Sequence, residues 1–186
     1  MITTVKGNVG HKHTKAEILS GALDAALEDG LSQLTFGRLA KRLDMNDRTI
    51  VYYFPTKDDL IAEVIMSMGT QLQETLGNAF SEPANSYLEL AQTAWPLLAR
   101  PETDRIFALF FEANGLAAAG RAPFDALVPQ IIEAWIDWMT GFLTGTAKQR
   151  RAEAEAAVAV IDGLLLLRQL GGSAAASRAA RRLGIR

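Results

Sequence analysis

Between Asp47 and Lys57 the chain carries Arg48, Thr49, Val51, Tyr52 and Tyr53, directly after an asparagine at position 46. These residues supply a forked guanidinium donor, hydroxyls, a branched methyl pair and one carboxylate within two helical turns. That set suits hydrogen bonds and apolar contacts to nucleic-acid base edges better than bond-breaking chemistry. Arg48 can pair bidentately with guanine, Val51 can pack on a thymine methyl, and Asp47 can accept from cytosine N4. Thr35, Thr49, Tyr53 and Lys57 are placed for phosphates, and Arg38, Asn46 and Tyr52 complete the candidate DNA contacts. Asp47 has a plainer role as well: a carboxylate in the first turn of a helix stabilises it. The bland alternative for the whole stretch is three structural helices whose tyrosines fill a core.

The elements that must hold these side chains are legible from caps and periodicity. Thr35 is the natural N-cap of a helix that buries Leu39, Ala40 and Leu43, and Asn46 caps the next, with Ile50 and Phe54 inward. Ahead of them, Thr14 and Glu17 form a capping box for a helix running to Asp29, with a stripe of Ile18, Leu19, Ala22, Leu23, Ala26 and Leu27. Gly30 is expected to end it with left-handed backbone. Pro55 stops the Asn46-capped helix, and Thr56 with Asp59 caps a long one from Lys57 to about Phe80.

Two short helices around a tight turn, the second polar and aromatic outside, have the layout of a helix-turn-helix. Beyond Phe80 all segments read as helical: 86–100 with a kink at Pro96, 101 to between 115 and 120, 124–143, 148–170, and a last helix capped by Ser173. The fold class is all-α: an N-terminal three-helix helix-turn-helix domain joined by a long helix to a C-terminal helical ligand-binding and dimerisation domain. The division falls at 1–56 and 57–186.

Composition narrows the function further. Cysteine is absent from the 186 residues, which excludes disulfides, thiolate metal sites and a cysteine nucleophile and suits a reducing cytoplasm. No apolar run is long enough for a membrane span, and the first residues lack the apolar core of a signal peptide. No phosphate loop, nucleophile elbow or paired metal-binding histidines point to an enzyme, and no cofactor is expected. His11 and His13 lie on a polar N-terminal arm with Lys6 and Lys12, and two histidines without a third ligand are solvated rather than metal-bound.

A net charge of −2 looks wrong for a DNA-binding protein until it is divided along the chain. Residues 1–57 sum to +2, residues 58–171 to −8 and residues 172–186 to +4. The acidic middle is repelled by phosphate, so only the ends are candidates for nucleic acid. The four arginines of the tail could touch DNA, but are expected rather on an exposed helix at the far end of the dimer.

The run Leu34-Thr35, Leu39-Ala40, Asn46, then Thr49 through Leu60, preceded by Ala25 to Gly30, resembles the DNA-binding domain of tetracycline-repressor (TetR) family regulators. The likeness spans about Lys15 to Val64. It implies a homodimeric transcriptional regulator, usually a repressor, that binds a palindromic operator and is released by a small molecule. It also implies that the helix containing Ile161-Asp162-Gly163-Leu164 pairs across the dimer. The chain departs from the family pattern at Asp44, where the turn normally has glycine, and at Gly37, Asp47 and Val51.

For the effector, Trp95, Phe107, Phe110, Phe111, Trp135, Trp138, Met139 and Phe142 are expected to line a pocket, with Glu112, Arg105 and Asp137 as polar anchors. Such a lining suits a hydrophobic or aromatic ligand, although each aromatic taken alone reads more readily as ordinary core. Ala156, Ala159, Val160, Gly163, Leu164 and Leu167 form a small-residue stripe suited to helix pairing between subunits. The rival function is a helical small-molecule carrier or interaction protein without DNA binding.

Overall fold

The computed structural model describes residues 13–185. The arm with Lys6, His11 and Lys12 therefore falls outside the described residues, as does Arg186. The described residues form helices α1 (Lys15–Asp29), α2 (Phe36–Arg42), α3 (Asp47–Tyr53), α4 (Lys57–Gly77), α5 (Tyr87–Leu98), α6 (Pro101–Ala118), α7 (Phe124–Thr140), α8 (Ala147–Gly171) and α9 (Ser173–Arg182), with a 3₁₀ turn at Leu31–Gln33. No strand occurs among them, only a single parallel bridge between Ala84 and Leu143.

The caps read from the sequence hold α1 to α4 in place. Thr14 and Glu17 make the capping box of α1, and Thr56 and Asp59 that of α4. The Thr35 hydroxyl accepts from the Arg38 amide, and the Asn46 side chain accepts from the Arg48 amide at 2.9 Å. Seven-residue helices such as α2 and α3 are too short to persist alone in water. They are held by burial: Leu39 and Ala40 from α2, Ile50 from α3 and Phe54 just after it all lie in the core. Burying a large side chain of this kind contributes about 1.5–3 kcal/mol. Leu43 is only half-buried; its side chain closes over the α1 backbone at Gly21, where a Cβ would come within 2.6 Å of Leu43 Cδ2.

Asp44 takes φ 49°, the left-handed turn conformation that the family usually assigns to glycine, and is the one non-glycine residue with positive φ among those described. Aspartate tolerates it better than most residues. Gly30 differs from expectation: its φ is 89° but its ψ is 160°, so the chain leaves α1 extended and enters the 3₁₀ turn directly. Near the other end, Ser173 is the first residue of α9 and makes no cap; Gly172, at φ 83°, is the N-cap without a side chain to offer. A third capping box, Thr146 with Gln149, starts α8 slightly earlier than its hydrophobic pattern indicates.

Two apolar clusters organise the molecule. One joins α1, α2, α3 and the first half of α4 to Leu109 and Ala113 of α6 and to Phe124 and Val128 of α7. The other joins Leu72 and Leu76 of α4 to α5, α8, α9 and the facing sides of α6 and α7. Helices α4, α6 and α7 thus contribute to both. Arg168 of α8, its side chain only 9% exposed, grips Asp104 of α6 through two hydrogen bonds of 2.6 and 2.9 Å, and Gln169 donates to the Asp104 carbonyl.

Candidate functional site

Ile50 and Phe54 are fully enclosed, which fixes the rotation of α3 about its axis. That rotation turns Asp47, Arg48, Val51 and Tyr52 to solvent, at i, i+1, i+4 and i+5 on one face. Tyr52 is 79% exposed and Val51 43%, two neighbouring side chains available to contact a partner surface. Tyr52 lies opposite the enclosed Ile50 and Phe54 and so stands at the centre of the exposed face. Thr49 and Tyr53 are half-buried at the flanks, and the Tyr53 ring meets Tyr52 edge to face, centroids 5.0 Å apart.

The surrounding candidates are arranged around this face. Arg38 is exposed, and its guanidinium donates to the Gln33 side chain at 2.6 Å. Lys57 is half-buried at the start of α4, whose first turn is acidic at Asp58 and Asp59. Lys15 braces the module from behind, paired with Glu63 at 2.6 Å and lying 5.3 Å from the Phe54 ring centroid. Arg42 pairs with Glu28 at 2.7 Å, tying α2 to α1. This pair raises the Arg42 pKa and lowers that of Glu28. A short helix projecting an arginine, a valine and a tyrosine from a braced bundle can enter a groove that admits a helix.

The second feature is a narrow cavity of about 70 Å³ between α4, α6, α7 and α8. Phe107, Phe110, Trp135 and Met139 line it as expected from their types, together with Met68, Gly69 and Leu72 of α4. Trp95, Phe111, Trp138 and Phe142 do not. Trp95 is buried in the α5 core, and Trp138 and Phe142 stack on Phe80, with Phe142 at 5.0 Å between centroids. Bulk alone could not separate lining from core, because both environments take the same residues.

The polar anchors move furthest from expectation. Glu112 is not in the cavity: its carboxylate accepts from the Leu31 amide at 2.9 Å, the Ser32 amide at 3.0 Å and the Ser32 hydroxyl at 2.6 Å. It thereby caps the 3₁₀ turn, a demand created by the approach of α6 to α1 and invisible in local sequence. Asp137 is held at the surface by Arg151, whose guanidinium also bonds Glu133 and Glu155 and titrates well above the usual arginine range because of those carboxylates. Arg105 is exposed.

The charged group that does line the cavity is Asp162 of α8, which sequence reasoning noted only as part of a helix motif. It has no hydrogen-bond or ion-pair partner among the described residues, and burial pushes its carboxyl up to about 7.

On α8, Ala159, Gly163 and Leu167 are exposed, and Leu166 and Leu170 extend the same surface, Leu170 at 81% exposure. Ala156 and Val160 are half-buried against their own subunit. Leu164 is enclosed within its own chain and has no surface to offer a partner. Helix α9 packs on α8, with Arg178, Arg181 and Arg182 exposed.

An all-α chain with an exposed, braced second helix after a tight turn is a helix-turn-helix protein. Residues 18–64 match the family model for bacterial regulatory proteins of the tetR family. Solved structures share the fold along most of both chains. A TetR transcriptional regulator from Legionella pneumophila is 20% identical, with a TM-score of 0.66 over 94% of this chain and 97% of that one. A putative transcriptional regulator from Rhodococcus sp. RHA1 is 15% identical, with a TM-score of 0.69 over the same shares. Salmonella enterica GusR is 18% identical, with a TM-score of 0.64 over 93% and 97%. No curated protein sequence matches significantly. The match to the tetR-family model is thus carried by residues 18–64, and along the rest of the chain the likeness to these regulators is one of fold. No helix among the described residues is long and apolar enough to cross a membrane.

Proposed function

We propose that this protein is a ligand-responsive transcriptional regulator, a repressor that binds a palindromic operator as a homodimer in the cytoplasm and lets go when a small hydrophobic effector enters. The observation that carries the reading is the exposed Arg48, Val51 and Tyr52 face on a helix locked by Ile50 and Phe54. A small-molecule carrier has no use for exposed apolar and cationic side chains on a braced helix remote from its cavity.

Release has a physical route. The cavity wall includes Phe110, and Glu112 two residues further along α6 holds the 3₁₀ turn that leads into Thr35 and α2. The other wall is α4, which follows α3 directly. An occupant that parts α4 from α6 therefore loads both supports of the DNA-reading helix. Dimerisation is supported by the exposed Leu166, Leu167 and Leu170 stripe with Ala159 and Gly163, which lets two helices approach closely.

Selection of bound sequences from a random DNA pool tests the reading. An enriched palindrome whose affinity falls steeply with salt is the expected result. Binding of hydrophobic ligands with no enriched sequence would instead make the protein a carrier.

A further inference from the structure

We infer that the cavity between α4, α6, α7 and α8 is a site for a compact lipophilic cation, an amine or quaternary ammonium, whose charge meets the carboxylate of Asp162. This deepens the effector reading above and rests on it.

The wall of the cavity is apolar apart from two groups. Asp162 supplies an acceptor, and the Trp135 indole N–H supplies a donor; neither has a partner among the described residues. No cationic side chain lines the cavity, so an ionised Asp162 faces an uncompensated low-dielectric space. A cationic ligand supplies the missing countercharge, and Phe107, Phe110 and Trp135 make the lining aromatic, a surrounding that favours a cation. A carboxylate ligand would meet repulsion from an ionised Asp162, with no cationic side chain in the lining to offset it.

The site also has a way in. A surface groove between α4 and α7 shares Ile65, Gly69, Ile131 and Trp135 with the cavity and opens to solvent past Thr70, Gln73 and Gln130. Gly69 lies in this passage beside the indole: a Cβ there would make ordinary contact with Trp135 Nε1, at 3.6 Å. The cavity is narrow, and Met68 and Met139, unbranched and flexible, are the walls that yield to an occupant.

Burial holds the Asp162 carboxyl at about 7, so its charge is present above neutrality and absent below it. The residues that α4, α5, α6 and α7 turn toward the cavity include no other titratable group. On α8, Arg168 is committed to Asp104, and on α6 Glu112 is committed to the 3₁₀ turn. Affinity for a permanently charged ligand therefore follows Asp162 alone.

The test uses the full chain with three probes: benzyltrimethylammonium, its neutral isostere neopentylbenzene, and benzoate, titrated at pH 6 and pH 8 by tryptophan fluorescence and calorimetry. The cation is expected to bind more tightly than the isostere at pH 8, and its affinity to rise roughly tenfold from pH 6 to pH 8 as the carboxyl ionises. In Asp162→Asn, a near-isosteric change, the pH dependence disappears and the cation loses its advantage. Equal binding of cation and isostere, or a pH dependence that survives in Asp162→Asn, overturns the inference. If the isostere binds and the cation does not, the inference fails while the hydrophobic-effector reading stands. If none of the three binds, both fail.

Discussion

The Ser32 hydroxyl donates to Glu112 at 2.6 Å across 80 residues of sequence, joining the 3₁₀ turn before the DNA-reading module to the helix that walls the cavity. Two amides of the same turn reinforce it, and Gly30 makes room: a Cβ at that position would lie 2.9 Å from Glu112 Oε2. The carboxylate thus does for the turn what a capping side chain does for a helix, but from another element. Glu112→Ala is expected to cost about 1–3 kcal/mol, the range for leaving such donors without a charged acceptor. Hydrogen exchange at the Leu31 and Ser32 amides should accelerate while α8 amides keep their protection. Unchanged exchange at those two amides would show the contact to be incidental.

Asp162 makes stability depend on pH. The folded protein keeps this proton up to about pH 7, while the unfolded chain releases it near the ordinary value of 3.8. The native state therefore binds more protons in that window, and stability contributed by this group falls as pH rises from about 4 to 7. The full penalty above pH 7 is at most about 4 kcal/mol, from roughly 1.4 kcal/mol per pH unit, and water reaching the carboxyl reduces it. Asp162→Asn should be more stable than the parent at pH 8 and nearly equal at pH 4, measured by urea unfolding at fixed protein concentration. The same difference at both pH values would contradict the assignment.

Arg168 and Asp104 form the bidentate pair that fastens α6 to α8, with the arginine nearly enclosed. Asp104→Ala leaves that cation without its partner, at a cost of about 1–3 kcal/mol, below the range for a fully buried pair because the carboxylate is 38% exposed. Differential scanning calorimetry should show a clear fall in Tm. A shift of the size typical for surface substitutions would mean that water replaces the carboxylate.

Arg48 tests the reading face. Arg48→Ala is expected to lower operator affinity by about 1–3 kcal/mol and to relax base preference at one position of each half-site. Helix content and thermal unfolding should stay as in the parent, since Arg48 is exposed. Selectivity that survives the change would move base reading to Tyr52 or Val51.

Leu170, 81% exposed at the end of the α8 stripe, tests subunit pairing. Leu170→Glu puts a charge into the apolar stripe of the proposed interface and should shift sedimentation toward the monomer at micromolar concentration. A dimer that persists unaltered would put the interface elsewhere.

Short-range interactions explain which of these features the sequence alone determined. Thr14, Thr35, Asn46 and Thr56 announce their helices because a cap bonds an amide two or three residues away, and Ile50 with Phe54 sets which side of α3 faces out. Asp44 could be assigned to the turn because left-handed backbone is a property of a single residue. The helix-turn-helix and the all-α class follow from such local terms.

The tertiary structure alone decided what lies between elements. Glu112 and Asp162 are both acids on amphipathic helices, and nothing within a few residues of either distinguishes a turn cap from a cavity wall. Trp135 and Trp138 are neighbours on α7, yet the first lines the cavity and the second packs on Phe80, because helix rotation and the path of α4 choose between them. Leu164 and Leu167 divide in the same way between the interior and the surface. Periodicity tells that a face is buried; only the packed neighbour tells what it is buried against, and that is where the chemistry of the cavity is decided.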